Sequence, residues 1–123
     1  MGTRGSYNPI GAGVLGINAQ TGTTYTLVLS DSGKYVTLSN AATVYVTVPP
    51  DVFPVNTVIT LEQKGVGVTV MLEGAGVTIN GYDSGYMSPG QYAAIQLICT
   101  ASNIFTCIGG AAIDFTTTTI TTA

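Results

Sequence analysis

The residue types that most often carry enzyme chemistry are sparse in this chain of 123 residues. It contains no His, which removes the commonest general base and the commonest metal ligand. A Ser or Cys nucleophile would need another base, and the two Lys candidates, Lys34 and Lys64, lie in no recognisable motif. We therefore predict that the chain is not an enzyme, and we expect neither a metal nor a cofactor.

The acidic residues have a simpler interpretation than catalysis. Paired carboxylates can hydrolyse glycosides. Acidic side chains in turns, however, usually accept hydrogen bonds from nearby backbone. We favour this local role for the acidic residues in or beside predicted turns, which are Asp31, Asp51, Glu62, Glu73 and Asp83.

Cys99 and Cys107 end one predicted strand and lie in the next. With a turn near Asn103 they could face each other across a hairpin, and a disulfide would then depend on the strand register. Two buried free thiols are the favoured interpretation.

The composition is unusual for its lack of charge. Charged residues make up 7% of the chain, against roughly 25% in a typical soluble domain. The net charge is −3, and the three basic residues are isolated from one another, which argues against nucleic-acid binding. No apolar run reaches the roughly 18 residues of a membrane span. So little charge suggests a surface that partners cover.

Period-two alternation of Val, Thr and Tyr begins at Thr24 and predicts a series of short strands. The clearest strand places Val44, Val46 and Val48 on one face. Gly and Pro turns separate the segments, and Lys64 to Gly67 is predicted to be a hairpin connection. This spacing predicts an all-β fold, an antiparallel β-sandwich or jelly-roll-like domain over residues 24–110. The predicted strands cover residues 24–29, 35–38, 43–48, 57–63, 68–72, 77–79, 91–99 and 104–108.

Two segments outside this domain are predicted to be extended arms. Residues 1–23 are glycine-rich and contain one short apolar cluster, Val14 to Ile17. Residues 111–123 are rich in Thr, which favours extended backbone. Each arm lacks an apolar face large enough to fold alone, so we expect the arms to become ordered on neighbouring subunits.

Two groups of residues are candidates for an interface. Tyr side chains cluster around the irregular loop 80–90, and Tyr is common at interfaces and against sugars because it combines an apolar ring with a polar tip. The alternative is that this loop only closes one end of the domain. The second group is the apolar cluster of the N-terminal arm. The candidates are Tyr82, Tyr86, Met87, Tyr92, Val14, Leu15 and Ile17.

Residues 18–27, which read NAQTGTTYTL, and residues 30–40, which read SDSGKYVTLSN, carry a resemblance to a known family. The likeness continues through 44–50, 76–80 and 91–109. The sequence resembles a β-domain of structural proteins of tailed bacteriophages, including tail-fibre and capsid-associated chains. The resemblance implies a β-sandwich, a location in the virion after assembly in the host cytoplasm, and a homotrimer.

A single domain with two arms, and neither an attachment segment nor a shaft, favours a capsid cement (decoration) protein within this family. The expected partners are other copies of the chain and the major capsid protein or another virion protein, with no nucleic acid and no membrane. The alternative is a tail-fibre or receptor-binding tip module that recognises host surface polysaccharide through its Tyr-bearing loops.

Overall fold

The computed structural model describes residues 13–111, and this range is built from strands. Two short 3-10 turns, Leu29–Asp31 and Tyr82–Ser84, interrupt them. No helical turn in this range is long and apolar enough to cross a membrane. The all-β prediction is confirmed. The strands are β1 (Ile17–Gln20), β2 (Thr24–Thr26), β3 (Tyr35–Leu38), β4 (Val44–Val48), β5 (Val58–Gln63), β6 (Thr69–Glu73), β7 (Thr78–Gly81), β8 (Ala94–Ala101) and β9 (Ile104–Ile108).

The antiparallel β-sandwich or jelly roll is wrong, because most strand pairs are parallel. In one sheet β1 pairs with β3 and β3 with β5, and in a second sheet β2 pairs with β4 and β4 with β6. The chain therefore alternates between two sheets and stacks each circuit on the one before, as a β-solenoid does. We call β1 with β2 the first coil, β3 with β4 the second, and β5 with β6 the third.

The second and third coils repeat with a fixed spacing along the chain. Thr60 lies beside Tyr35 in one sheet, and Thr69 lies beside Val44 in the other, so both pairs are separated by 25 residues. Residues 64–67 were predicted to join two hairpin strands. They instead form the corner at which the chain leaves one sheet for the other.

The corners stack as closely as the strands do. The Gly67 amide donates to the Asn40 carbonyl at 2.9 Å. A β-carbon at Gly67 would lie 1.9 Å from the Ala42 carbonyl oxygen, which leaves no room for any side chain. Gln63 holds the same corner from inside, since its Nε2 donates to the carbonyls of Gly65 and Val66.

The core lies between the sheets and follows the predicted alternation. Val44, Val46 and Val48 are fully buried, and so are Val36 and Leu38 on the facing sheet. The strand predicted over 24–29 is wrong in its second half. Asp31 accepts the Val28 amide at 2.9 Å and turns the chain into a 3-10 conformation, which leaves Leu29 exposed.

The predicted N-terminal arm, residues 1–23, contains a strand. β1 lies inside it and pairs with β3, so regular strand pairing begins at Ile17 and not at Thr24. Within the predicted C-terminal arm only Ala111 is among the described residues, and residues 112–123 lie outside them.

A hairpin closes the third coil, which is the last one. β8 pairs antiparallel with β5 and with β9, and β9 pairs with β7, so the β8–β9 hairpin stands between β5 and β7. On the smaller sheet, Met87 forms an isolated bridge to Val70 of β6. The edges of β5 and β6 are thus covered, and β7 becomes the outer strand of the six-stranded sheet at this end.

The interpretation of Cys99 and Cys107 as buried free thiols is confirmed. Cys99 is opposite Phe105 and Cys107 is opposite Leu97, so the two thiols are diagonal neighbours across the hairpin. Diagonal neighbours in an antiparallel pair lie roughly 7–8 Å apart, which is beyond ordinary disulfide geometry.

Replacing Gly67 by Ala should destabilise the chain by about 2–4 kcal/mol, because the new methyl group forces the stacked corner apart. Urea unfolding measures the change. Gly90→Ala is the matched control, since a β-carbon there meets nothing within 4 Å, and it should alter stability by less than about 0.5 kcal/mol. Equal stability of the two variants would contradict the stacked corner.

Burial raises the pKa of the Cys107 thiol from 9.0 to about 11. The folded chain therefore keeps this proton at pH values where the unfolded chain loses it, so its stabilising effect is present below about pH 9 and is lost as the pH rises through 11. Urea unfolding between about pH 8 and pH 11 should show a smaller loss of stability in Cys107→Ala than in the parent chain. Burial also raises the pKa values of Tyr25 and Tyr35. Both residues are present in both chains, so their effect on the pH dependence of stability cancels in the comparison. If the free energy of unfolding depended on pH identically in both chains, the raised pKa of Cys107 would be refuted.

Candidate functional site

The predicted apolar cluster Val14, Leu15 and Ile17 lies on the surface of the first coil. Leu15 is 78% exposed and Ile17 is 63% exposed. Leu29, from the 3-10 turn of the same coil, is also exposed. We call Val14, Leu15, Ile17 and Leu29 the first-coil patch. Several exposed apolar residues on one coil are typical of an interaction surface.

Backbone pairing holds the first-coil patch in place. The Leu15 amide donates to the Gly33 carbonyl at 2.9 Å, and the Tyr35 amide donates to the Gly16 carbonyl at 3.0 Å. The Leu15 side chain lies over Gly33, where a β-carbon would be 2.8 Å from Leu15 Cδ1. The patch is therefore an ordered extension of β1.

β1 is unusual because its polar side chains point inward and its apolar side chains point outward. Asn18 and Gln20 are half-buried, whereas Ile17 and Ala19 are exposed. The Asn18 amide donates to Asp31 Oδ1 at 2.8 Å, and the Gln20 amide donates to Asn18 Oδ1 at 2.8 Å. The usual alternation of a half-buried strand is therefore reversed in β1.

Asp31 is the centre of this polar layer. Its side chain is fully buried and accepts the Tyr25 hydroxyl at 2.7 Å, in addition to Asn18 and the Val28 amide. Burial raises the pKa of Tyr25, and its hydrogen bond to Asp31 acts in the same direction. The apolar core thus ends in a hydrogen-bonded layer at the first coil.

The two ends of the solenoid differ at their strand edges. At the last coil, β8 covers β5 and Met87 bridges to the strand β6. Across residues 13–111, no strand pairs with the outer edge of β1 or of β2. Such edges present backbone donors and acceptors that another chain can pair with.

The Tyr-bearing loop forms a second surface, and the structure divides its predicted members. Tyr82 is 93% exposed and Tyr86 is partly exposed. Met87 is only 7% exposed and bridges to Val70, and its interface role stays a prediction. Tyr92 is 67% exposed. Its backbone amide donates to the Gln63 carbonyl, so Tyr92 lies beside the corner at 64–67.

A cleft of about 430 Å³ opens between β6, β7 and the loop that carries Tyr86. We call it the β6–β7 cleft. Its polar side chains are Glu73, Asn80, Ser84 and Tyr86, and Met71, Leu72 and Ile79 supply apolar lining. Tyr82 does not line the cleft, but it follows the lining residue Gly81 directly in the chain.

The polar groups of the β6–β7 cleft are only partly used by the fold. Glu73 Oε2 accepts the Ile79 amide at 2.7 Å, which fixes the carboxylate at the cleft. Within the described range, the side chains of Asn80, Ser84 and Tyr86 make no hydrogen bond. Sequence reasoning missed Glu73, Asn80 and Ser84 as site residues, because the antiparallel return of residues 86–88 along β6 is a tertiary contact that no local pattern shows.

The described part of the chain contains no group of three His, Cys, Asp or Glu side chains arranged to hold a metal ion. Comparisons with models of protein families, with curated proteins and with solved structures found no match.

Replacing Asp31 by Asn should destabilise the chain by about 2–4 kcal/mol, because Asn keeps only one acceptor oxygen. Its NH2 group would face either the Asn18 amide at one oxygen position or the Tyr25 hydroxyl and the Val28 amide at the other. Chemical denaturation gives the value. Asp51→Asn is the control, since Asp51 is exposed and its bond to Asn103 can be kept by an amide oxygen. If Asp31→Asn lowered the free energy of unfolding no more than Asp51→Asn does, the polar layer would not support the first coil.

Proposed function

We propose that the chain is a virion structural protein of a tailed bacteriophage, and that it acts as a capsid cement or decoration protein that binds the capsid lattice as a homotrimer. The observation that carries this proposal is the asymmetry of the solenoid. Its last coil is closed by its own chain, whereas its first coil combines exposed apolar residues with strand edges that no described residue pairs with.

The first-coil patch supplies the kind of contact that a lattice protein needs. Burying Leu15 and Ile17 against a partner would contribute roughly 1.5–3 kcal/mol each. Pairing with β1 or β2 would add backbone hydrogen bonds that fix the orientation of the two chains. The polar layer behind these strands allows the contact without exposing the core when the partner is absent.

The low charge of the chain supports the same role. With charged residues at 7%, little electrostatic repulsion opposes close contact with a neighbouring subunit. The proposed partners are other copies of this chain and the major capsid protein, and the proposed location is the virion after assembly in the host cytoplasm. The trimeric state derives from the phage resemblance, and the choice of the capsid over the tail derives from the predicted arms on either side of the domain.

A second candidate function is a tail-fibre or receptor-binding tip that recognises polysaccharide. The β6–β7 cleft favours it, because the cleft combines unpaired polar side chains with the Tyr86 side chain, and the exposed Tyr82 lies one residue from its lining. This second function would place the chain on the tail and not on the head of the particle.

Leu15→Asp should reduce the number of copies per particle at least about tenfold, because the buried carboxylate would oppose the contact. Particles of the phage whose genome carries this sequence are produced with each variant, and the copies are counted by quantitative mass spectrometry. Val66→Asp is the matched control, since Val66 is a similarly exposed apolar residue on the third-coil corner, and its copy number should not change.

A gold-labelled antibody against the chain distinguishes the two locations. Label on the head supports the cement role, whereas label confined to the tail favours the receptor-binding role. Absence of the chain from purified particles, or equal copy numbers for Leu15→Asp and the parent chain, would overturn the proposal of first-coil attachment in a virion.

A further inference from the structure

The β6–β7 cleft has the size and the walls of a small-ligand site. Its volume of about 430 Å³ lies within the roughly 300–1,000 Å³ of such sites. β6 pairs with β4, and β7 pairs with β9, so two walls are held by sheet hydrogen bonds. The Met71 amide donates to the Tyr86 carbonyl at 2.9 Å, which ties the third wall to β6.

The loop between β7 and Tyr86 is also fixed. A β-carbon at Gly85 would lie 2.1 Å from the Ala111 carbonyl oxygen, so the backbone of this loop packs directly against the chain beyond β9. Asp83 and Ser84 both have positive φ, at 58° and 59°. A ligand would therefore meet a preformed surface and would lose little affinity to ordering of the loop.

The polar groups of the cleft match hydroxyl groups. The Asn80 amide, the Ser84 hydroxyl and the Tyr86 hydroxyl can each donate and accept a hydrogen bond, and so can a sugar hydroxyl. Glu73 keeps acceptor capacity beyond its bond to the Ile79 amide. Its carboxylate disfavours an anionic ligand, and no Lys or Arg lines the cleft to offset it.

The apolar side chains in and near the cleft suit the C–H faces of a sugar ring. Tyr82 is 93% exposed and makes no aromatic contact within the described range, so packing within the chain does not explain its ring. Tyr rings bind the C–H faces of saccharides while their hydroxyls stay in water. Leu72 and Ile79 line the cleft beside it.

We propose that the β6–β7 cleft binds a neutral, hydroxyl-rich saccharide, with Asn80, Ser84 and Glu73 bonding its hydroxyls and Tyr82 and Tyr86 packing against its rings. The site is independent of capsid attachment, because β7 and β1 are the opposite outer strands of the six-stranded sheet. A particle bound through its first coil would leave this end of the solenoid accessible to a host surface.

The test is a titration of the full ¹⁵N-labelled chain with soluble oligosaccharides of neutral hexoses, of N-acetylhexosamines and of uronic acids. At least one neutral probe should give saturable shifts at the amides of Asn80, Gly81, Ser84 and Gly85, with a Kd on the order of 1 mM or below. The uronic acid probe should bind at least about tenfold more weakly.

Tyr82→Ala and Asn80→Ala should each weaken binding about tenfold or more, and both side chains lack hydrogen bonds in the described range, so neither variant should unfold the chain. Tyr92→Ala is the matched control, an exposed Tyr outside the cleft whose loss should leave the Kd unchanged. Absence of saturable shifts with every neutral probe, preference for the uronic acid, or equal weakening by Tyr92→Ala would overturn the proposal.

The same titration on Leu15→Asp separates the two proposals. This variant should bind the saccharide with the parent Kd while its copy number on particles falls. Loss of saccharide binding in Leu15→Asp would contradict the independence of the cleft from the first coil.

Discussion

Close stacking of successive coils at their corners is the constraint on which the rest of this structure depends. The carbonyl of Ala42 occupies the space where a side chain at Gly67 would begin, and a backbone bond from Gly67 to Asn40 joins the two corners. This contact accompanies the 25-residue spacing of the second and third coils. The spacing in turn decides which side chains of each strand face inward, since a slip of one residue would expose the Val core.

The stack of coils ends differently at its two ends. At the third coil, the β8–β9 hairpin covers the edge of β5, and the bridge at Met87 covers β6. At the first coil, a buried carboxylate with three donors replaces the apolar layer. A polar layer can face water or a partner, whereas an apolar layer must be covered. The surfaces proposed for assembly and for saccharide binding follow from this difference between the ends.

The β6–β7 cleft is a consequence of the hairpin that closes the last coil. A regular coil would place β7 beside β5, but the hairpin occupies that position and moves β7 to the edge of the sheet. The chain between β7 and β8 must then return along β6, which brings Tyr86 opposite Met71. Binding groups from three separate segments meet there on rigid elements, which is the arrangement that small-ligand sites require.

The sequence by itself determined the all-β class, the position of most strands and the Val44, Val46 and Val48 core face, because alternation and turn residues act over a few neighbouring positions. It also indicated that the apolar cluster at Leu15 and the Tyr at position 82 would be available for contacts. Tertiary structure alone decided that the strands pair in parallel, that β1 faces its polar side inward, and that Glu73 and Asn80 share a cleft. The parallel pairing and the orientation of β1 depend on contacts between residues 18 to 25 positions apart, and the cleft depends on the return of residues 86–88 along β6. A local pattern specifies neither.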